Sequence, residues 1–203
     1  MKTLLIITAC LLGFALVFSC NGTSVIKQSD TVAVPVGTSG KNTALNTGTE
    51  YIAWDEARIN GTIPMITTTK LLYTALGKPD SIVTQNMENV CVSYYYDRPF
   101  KNVYIKGSSF ELYGDTVVIS SLNFRQPGVI FTAGKLRFDN RTTLSAVAKL
   151  FPKAVGDQSN VSLENNEKVI SIRIETGKVV NDSAWHLLFK NGKLITIDFW
   201  MPC

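Results

Sequence analysis

The side chains that could do chemistry in this 203-residue chain are few: one histidine, four cysteines and sixteen carboxylates. His186 stands beside Trp185 in a stretch that alternates like a strand, and no carboxylate or hydroxyl is spaced to tune it as a general base. Asp97, Glu111, Asp115, Glu175 and Asp198 are spread over loops and strand faces with no spacing that marks an acid/base pair. No serine or cysteine lies in a nucleophile elbow, and no glycine-rich phosphate loop is present. A single histidine with no cysteines at ligand spacing does not make a metal site. The reading is a protein that is not an enzyme and needs no cofactor.

What stands out instead is aromatic. Tyr95, Tyr113, Trp185 and Trp200 fall on or near outward strand positions, with Arg173 and Asp198 among them. Tyr, Trp and Arg are the residue types that anchor protein interfaces. These six are the candidate partner-binding residues.

Those residues have to be held by something, and the N-terminus says where. Lys2 is followed by a run, Thr3 to Phe18, with no charge, too short for a bilayer span of about 20 residues but suited to a secretory signal. It ends in Val17-Phe18-Ser19-Cys20, which resembles the lipobox of bacterial lipoproteins. That resemblance implies cleavage before Cys20 and acylation of its thiol, giving residues 1–19 as signal and Cys20 as the lipid anchor. Asn21 in place of an aspartate implies, by the same resemblance, sorting to the outer membrane with the body facing the periplasm. Cys91 and Cys203 remain for an oxidising compartment, either paired as a disulfide or left as two separate thiols.

Residues 20–50 are rich in Thr, Ser, Gly, Asn and Val without periodicity and read as a flexible tether. The formal charge of +4 is weak and forms no basic stripe, which excludes nucleic acid as a partner.

Compared with itself, the rest of the chain repeats at a period near 75 residues. Thr68-Thr-Lys-Leu-Leu-Tyr-Thr-Ala-Leu-Gly-Lys-Pro79 recurs as Thr142-Thr-Leu-Ser-Ala-Val-Ala-Lys-Leu-Phe-Pro152: a threonine cap, a short helix, a proline. Leu72, Ala75 and Leu76 share a face of the first helix, and Ala146, Val147 and Leu150 one of the second. Hairpins follow at 110–124, turning at Gly114-Asp115, and at 187–199, turning at Asn191-Gly192. Strands are expected before each, at 89–96 and 168–175. Alternation sends Ile170, Ile172, Ile174, Ile195, Ile197 and Phe199 inward, with Val90, Val92 and Tyr94 in the first unit. Residues 51–64 allow a short helix and a strand without deciding either.

The fold class is therefore α+β, two tandem helix-on-antiparallel-sheet units spanning 51–130 and 131–203. Leu71-Leu-x-x-Ala-Leu-Gly-Lys-Pro-Asp-Ser81 resembles the small outer-membrane lipoprotein of the barrel-assembly machinery, and the tandem arrangement resembles the β-lactamase inhibitor protein. The two resemblances imply a binding role. The expected function is recognition of an envelope protein or peptide through the open sheet face. The alternative is a small-molecule or carbohydrate binder serving nutrient uptake.

Overall fold

The computed structural model describes residues 48–203; the expected signal segment, Cys20 and the expected tether up to residue 47 lie outside the described residues. After a 3-10 turn at Trp54–Glu56 come strands β1 (Ala57–Ile59), β2 (Ile63–Pro64) and β3 (Ile66–Thr68), then helix α1 (Thr69–Leu76). Next are β4 (Ser81–Thr84), β5 (Lys101–Ile105), β6 (Ser108–Tyr113) and β7 (Thr116–Asn123). The chain continues through β8 (Phe131–Ala133), β9 (Leu136–Phe138), α2 (Leu144–Leu150) and α3 (Pro152–Gly156). It closes with β10 (Ser159–Ser162), β11 (Lys168–Glu175), β12 (Ala184–Lys190) and β13 (Lys193–Trp200). The class is α+β with antiparallel sheets.

Local chemistry explains the element starts. The Thr68 side chain accepts from the Leu71 N–H and that of Thr143 from the Ala146 N–H, so each helix opens on a capping threonine worth about 1 kcal/mol. Asn191 and Gly192 both have positive φ, 50° and 73°, the geometry a two-residue hairpin turn between β12 and β13 requires. Pro152 sits in the first turn of α3 rather than only ending α2, because a missing N–H costs nothing there.

Among the described residues, the strands make two sheets. The larger runs in the order β10-β11-β12-β13-β7-β6-β5-β4, with β3 also paired to β7. Its central seam is β13 against β7, Thr196↔Asn123, Ile197↔Leu122 and Asp198↔Ser121. The smaller runs β2-β1-β8-β9 and settles residues 51–64: a 3-10 turn followed by a short hairpin. It joins β1 to β8 across the expected boundary at 130/131. One face of the large sheet carries Val103, Phe110, Ile119, Leu122, Ile172, Trp185, Leu187 and Ile197, buried beneath α1, α2, α3 and the small sheet. This is the inner face; the opposite one is the outer face.

Four expectations are corrected. Residues 89–96 are not a strand: a 3-10 turn at Met87–Asn89 leads into bends, and the Tyr94 N–H donates to the Glu111 carboxylate (2.9 Å) instead of a ladder partner. Ile195 leaves the inner face because the β12–β13 register shifts at Leu188/Phe189, placing it with Val169 and Leu188 in a small outer cluster. On α2 the buried side is Val147 with Leu144 and the following Phe151, whereas Ala146 and Leu150 are exposed. Trp185, expected outside, is wholly buried (0% exposed) on the inner face.

Candidate functional site

The outer face is built by register. One residue from each of seven neighbouring strands forms a continuous polar row: Arg173, His186, Asp198, Ser121, Ser109, Tyr104 and Ser81. In a strand successive side chains point to opposite faces, so this polar row backs directly onto the apolar core. Beside it runs a shorter row, Glu175, Ala184 and Trp200.

Trp200 lies along the sheet and does not stand off it. Its indole stacks on the His186 imidazole at 5.6 Å and 20°, and the Arg173 guanidinium sits 5.2 Å over the same ring. Only the Ala184 methyl separates Trp200 from Glu175 in the row, which leaves room for the indole to lie flat. Arg173 is fixed from the other side by Glu175, Nε to Oε1 at 3.2 Å. The second Glu175 oxygen and His186 Nε2 have no exposed surface and no hydrogen-bond partner. Burial, then the neighbouring Arg173 charge, holds His186 below its ordinary value of 6.5. Burial lifts Asp198 above its ordinary value, opposed by the hydrogen bond from Ser121. In this order the carboxylate stands between serine and histidine, whereas a nucleophile–base relay needs the histidine in the middle. The arrangement offers recognition: acceptors, a guanidinium and an aromatic plate.

A second cluster forms at the loop that replaces the expected strand. Cys91 and Cys203 are joined as a disulfide, Cα atoms 5.3 Å apart, tying the C-terminus to this loop. The Tyr94 N–H and the Tyr113 hydroxyl both donate to Glu111 Oε2, and the Tyr95 N–H donates to the Tyr113 oxygen (3.4 Å). Burial first and that Glu111 bond second push the Tyr113 hydroxyl up to about 12. Arg98 lies 5.0 Å over the Tyr95 ring, and Tyr95 meets Tyr113 edge to face. Tyr96 projects from this braced loop with 80% of its surface exposed, beside a cleft of about 420 Å³ lined by Val90, Val92 and Pro99 among others.

No family model matches the chain, and no curated protein or solved structure matches it significantly.

The six expected site residues thus divide three ways. Arg173, Asp198 and Trp200 share the outer face around His186. Tyr95 and Tyr113 belong to the braced loop, both half-buried. Trp185 leaves the list: its neighbours on β12, Leu187 and Phe189, face the core, and its Nε1–H donates to the Ile52 carbonyl at 2.9 Å. Glu175, Glu111 and Tyr96 were not expected. The period-2 pattern of β11 was enough to place Glu175 with Arg173, but nothing in the local sequence marks Glu111 as the brace of a loop 17 residues away.

Proposed function

We propose that this protein is an outer-membrane lipoprotein, anchored through acylated Cys20 and facing the periplasm, that binds an envelope protein or peptide rather than catalysing a reaction. The observation carrying the binding role is Tyr96, a fully presented aromatic side chain on a loop that has little freedom left to lose. A pre-ordered aromatic anchor gives up less entropy on association than a mobile one. Trp200, 38% exposed, lies three residues from the same disulfide and supplies a second anchor with Arg173. The anchor reading rests on the lipobox-like Val17-Phe18-Ser19-Cys20.

The doubled architecture resembling the β-lactamase inhibitor protein belongs to this proposal too. Matching contacts favour it. The Thr69 N–H donates to the Asp115 carbonyl (3.1 Å) and the Leu144 N–H to the Gly192 carbonyl (2.9 Å), each joining a helix start to its hairpin turn. Thr68 pairs with Thr116, and Thr143 with Lys193, in the same antiparallel sense. A four-stranded meander follows α1 (β4–β7) and another follows the α2–α3 pair (β10–β13), and the last strands of the two meet at the seam.

Two measurements test the reading in the producing cell. Labelled palmitate should enter the wild type and not Cys20→Ser. A photo-crosslinking residue at position 96 or 200 should trap a discrete envelope protein that the same residue at exposed Lys70 does not. Equal trapping from all three positions would refute the binding surface, and label retained in Cys20→Ser the anchor.

A further inference from the structure

We propose that the tip of the β11–β12 loop, Val179-Val180, dips into the lipid bilayer, with Tyr51 and Trp200 flanking it at headgroup level. The bilayer as occupant rests on the Cys20 anchor proposed above, whereas the tip is read from the fold alone.

Strand register places the tip. Tyr51 pairs with Glu175, Glu175 with Ala184, and Ala184 with Trp200, one row across this end of the sheet. Loop 176–183 springs from the middle of that row, out of Glu175 and back into Ala184. Asn181 closes its base: the Thr176 hydroxyl donates to Asn181 Oδ1 (3.2 Å), as do the Ser183 N–H (2.8 Å) and hydroxyl (2.7 Å). Three polar side chains thus satisfy one another at the base, and the apolar pair is left at the top. Val179 is 82% exposed and Val180 62%, the first being the most exposed large apolar side chain among the described residues. Single apolar residues scattered over a surface are ordinary. Two adjacent β-branched ones on a pinned loop, where Gly, Asn and Ser are the usual residues, are not.

Lipid fits this tip better than a folded partner on three grounds. The described chain begins in the same patch: Thr49 and Glu50 share with Val180 a cleft of about 300 Å³ beside Arg173 and Glu175. Glu50 is fixed there by accepting from the Lys153 N–H (3.0 Å) and the Ala154 N–H (2.8 Å). Residues 21–47 therefore join the anchor to the end of the sheet that carries the valines. For a domain held in this way docking is intramolecular, so a weak apolar preference is enough to keep that end down. A projecting tip also asks for a surface that yields around it, which hydrocarbon does and a folded partner does only through a matching pocket. Finally, Tyr51 and Trp200, both partly exposed, stand on either side of the loop, and membrane interfaces favour aromatic rings with a polar handle beside an apolar insert.

Charge sets how the docking works. Lys178 and Lys153 are offset by Asp157 and Asp182, Arg173 is paired with Glu175, and Glu50 is committed to the α3 N–H groups. Neither sign prevails, so insertion of the valines, and not headgroup attraction, carries the contact. Docked in this way, the end bearing Trp200 and the Cys91–Cys203 bridge is held where a partner embedded in the same membrane would meet it.

The test puts a dansyl-bearing amino acid at position 178 of the full chain and, for comparison, at position 193, exposed at the other end of the same strands. Each chain, taken from the producing cell, is reconstituted into vesicles of phosphatidylethanolamine and phosphatidylglycerol that carry a nitroxide-labelled lipid. Quenching at 178 should exceed that at 193 at least about threefold, as expected for a group seated ~5–10 Å into the interface. In Val179→Asp/Val180→Asp the docking equilibrium should fall by about tenfold for each valine, bringing 178 to the level of 193. Val179→Leu/Val180→Leu should keep the difference. Both side chains are exposed, so urea midpoints of the variants should match wild type and serve as the folding control. Exchanging phosphatidylglycerol for phosphatidylcholine should leave the quenching within about twofold. Equal quenching at 178 and 193, quenching that needs the anionic lipid, or quenching retained in the aspartate variant would overturn the proposal. The palmitate label reads the anchor separately. A labelled chain with 178 unquenched refutes the tip and leaves the anchor standing; an unlabelled chain whose 178 is quenched by vesicles added from solution supports the tip and refutes the anchor.

Discussion

Removing the Cys91–Cys203 bridge is the perturbation whose size the structure specifies most directly. The bridge spans a sequence separation of 112 residues, and the loop-closure relation for a ring of that length gives an entropy loss in the unfolded chain of about 16 cal/mol/K, or about 5 kcal/mol at 25 °C. With a urea slope of about 2 kcal/mol/M for a domain of this size, Cys91→Ala/Cys203→Ala should unfold about 2 M earlier than wild type. The loss has a local part as well. Cys203 lies just beyond the last strand and Cys91 opens the irregular loop, so release frees both ends of the contact that positions Tyr94 and Tyr95. Hydrogen exchange at residues 90–99 should therefore quicken more than at β11–β13. Equilibrium urea unfolding of the wild type and the double variant, with a free-thiol titration of the native wild type, decides it. A midpoint change below about 0.5 M, or two titratable thiols in the folded protein, would refute the reasoning.

The two tryptophans of opposite fate make a paired prediction. Trp185→Phe orphans the Ile52 carbonyl in the core and should cost about 2–3 kcal/mol, whereas Trp200→Phe at the surface should cost under about 1 kcal/mol, read by urea midpoints. Glu111→Gln keeps the shape but replaces two charge-assisted bonds with weaker ones, so exchange of the Tyr94 and Tyr95 amides should accelerate about tenfold while β5–β7 are unchanged. For pH, the signs of His186 and Asp198 oppose each other. His186 is depressed, so its neutral form is favoured by folding; that stability is full above 6.5 and is lost as pH falls below it. Asp198 is raised, so the stability of its protonated form is full below 3.8 and is lost as pH rises through the folded value. Unfolding midpoints from pH 4 to 8 should show the decline below 6.5 vanish in His186→Gln, and Asp198→Asn should be more stable than wild type at neutral pH.

How much of this was legible in the sequence depends on the length over which the signal acts. The threonine caps, both hairpin turns and strand 168–175 are governed by residues within a few positions of each other, and each stands where periodicity and turn chemistry put it. Register is nearly as local: once β11 alternates, Arg173 and Glu175 must share a face, and pairing with β12 and β13 brings His186 and Asp198 beside them. The small sheet was not legible, because its strands are two or three residues long and pair between positions 57–59 and 131–133. No window contains both halves of that interaction. The bulge at Ile195 was hidden for a different reason: an isoleucine on either face fits an apolar neighbourhood, and the outer cluster of Val169 and Leu188 receives it as readily as the core.

The failures are not spread at random. Residues 89–96 carry valines and tyrosines, which favour a strand, yet they are held in bends by a disulfide to the C-terminus and by one carboxylate from β6. Giving up a ladder in a sequence that favours one is a local cost, and what it yields is Tyr96 held outward with its loop fixed. Trp200 poses the same trade on a smaller scale: it lies flat on the His186 imidazole, whose buried Nε2 has no hydrogen-bond partner. Where a chain departs from its own local preferences and pays with unsatisfied groups or enforced bends, selection for folding alone does not explain the arrangement. In this protein both departures fall at the same end of the sheet, within four residues of the Cys91–Cys203 bridge or five positions along the braced loop. That coincidence is the physical reason the proposed binding surface is placed at this end of the molecule, and not on the helices or the opposite edge.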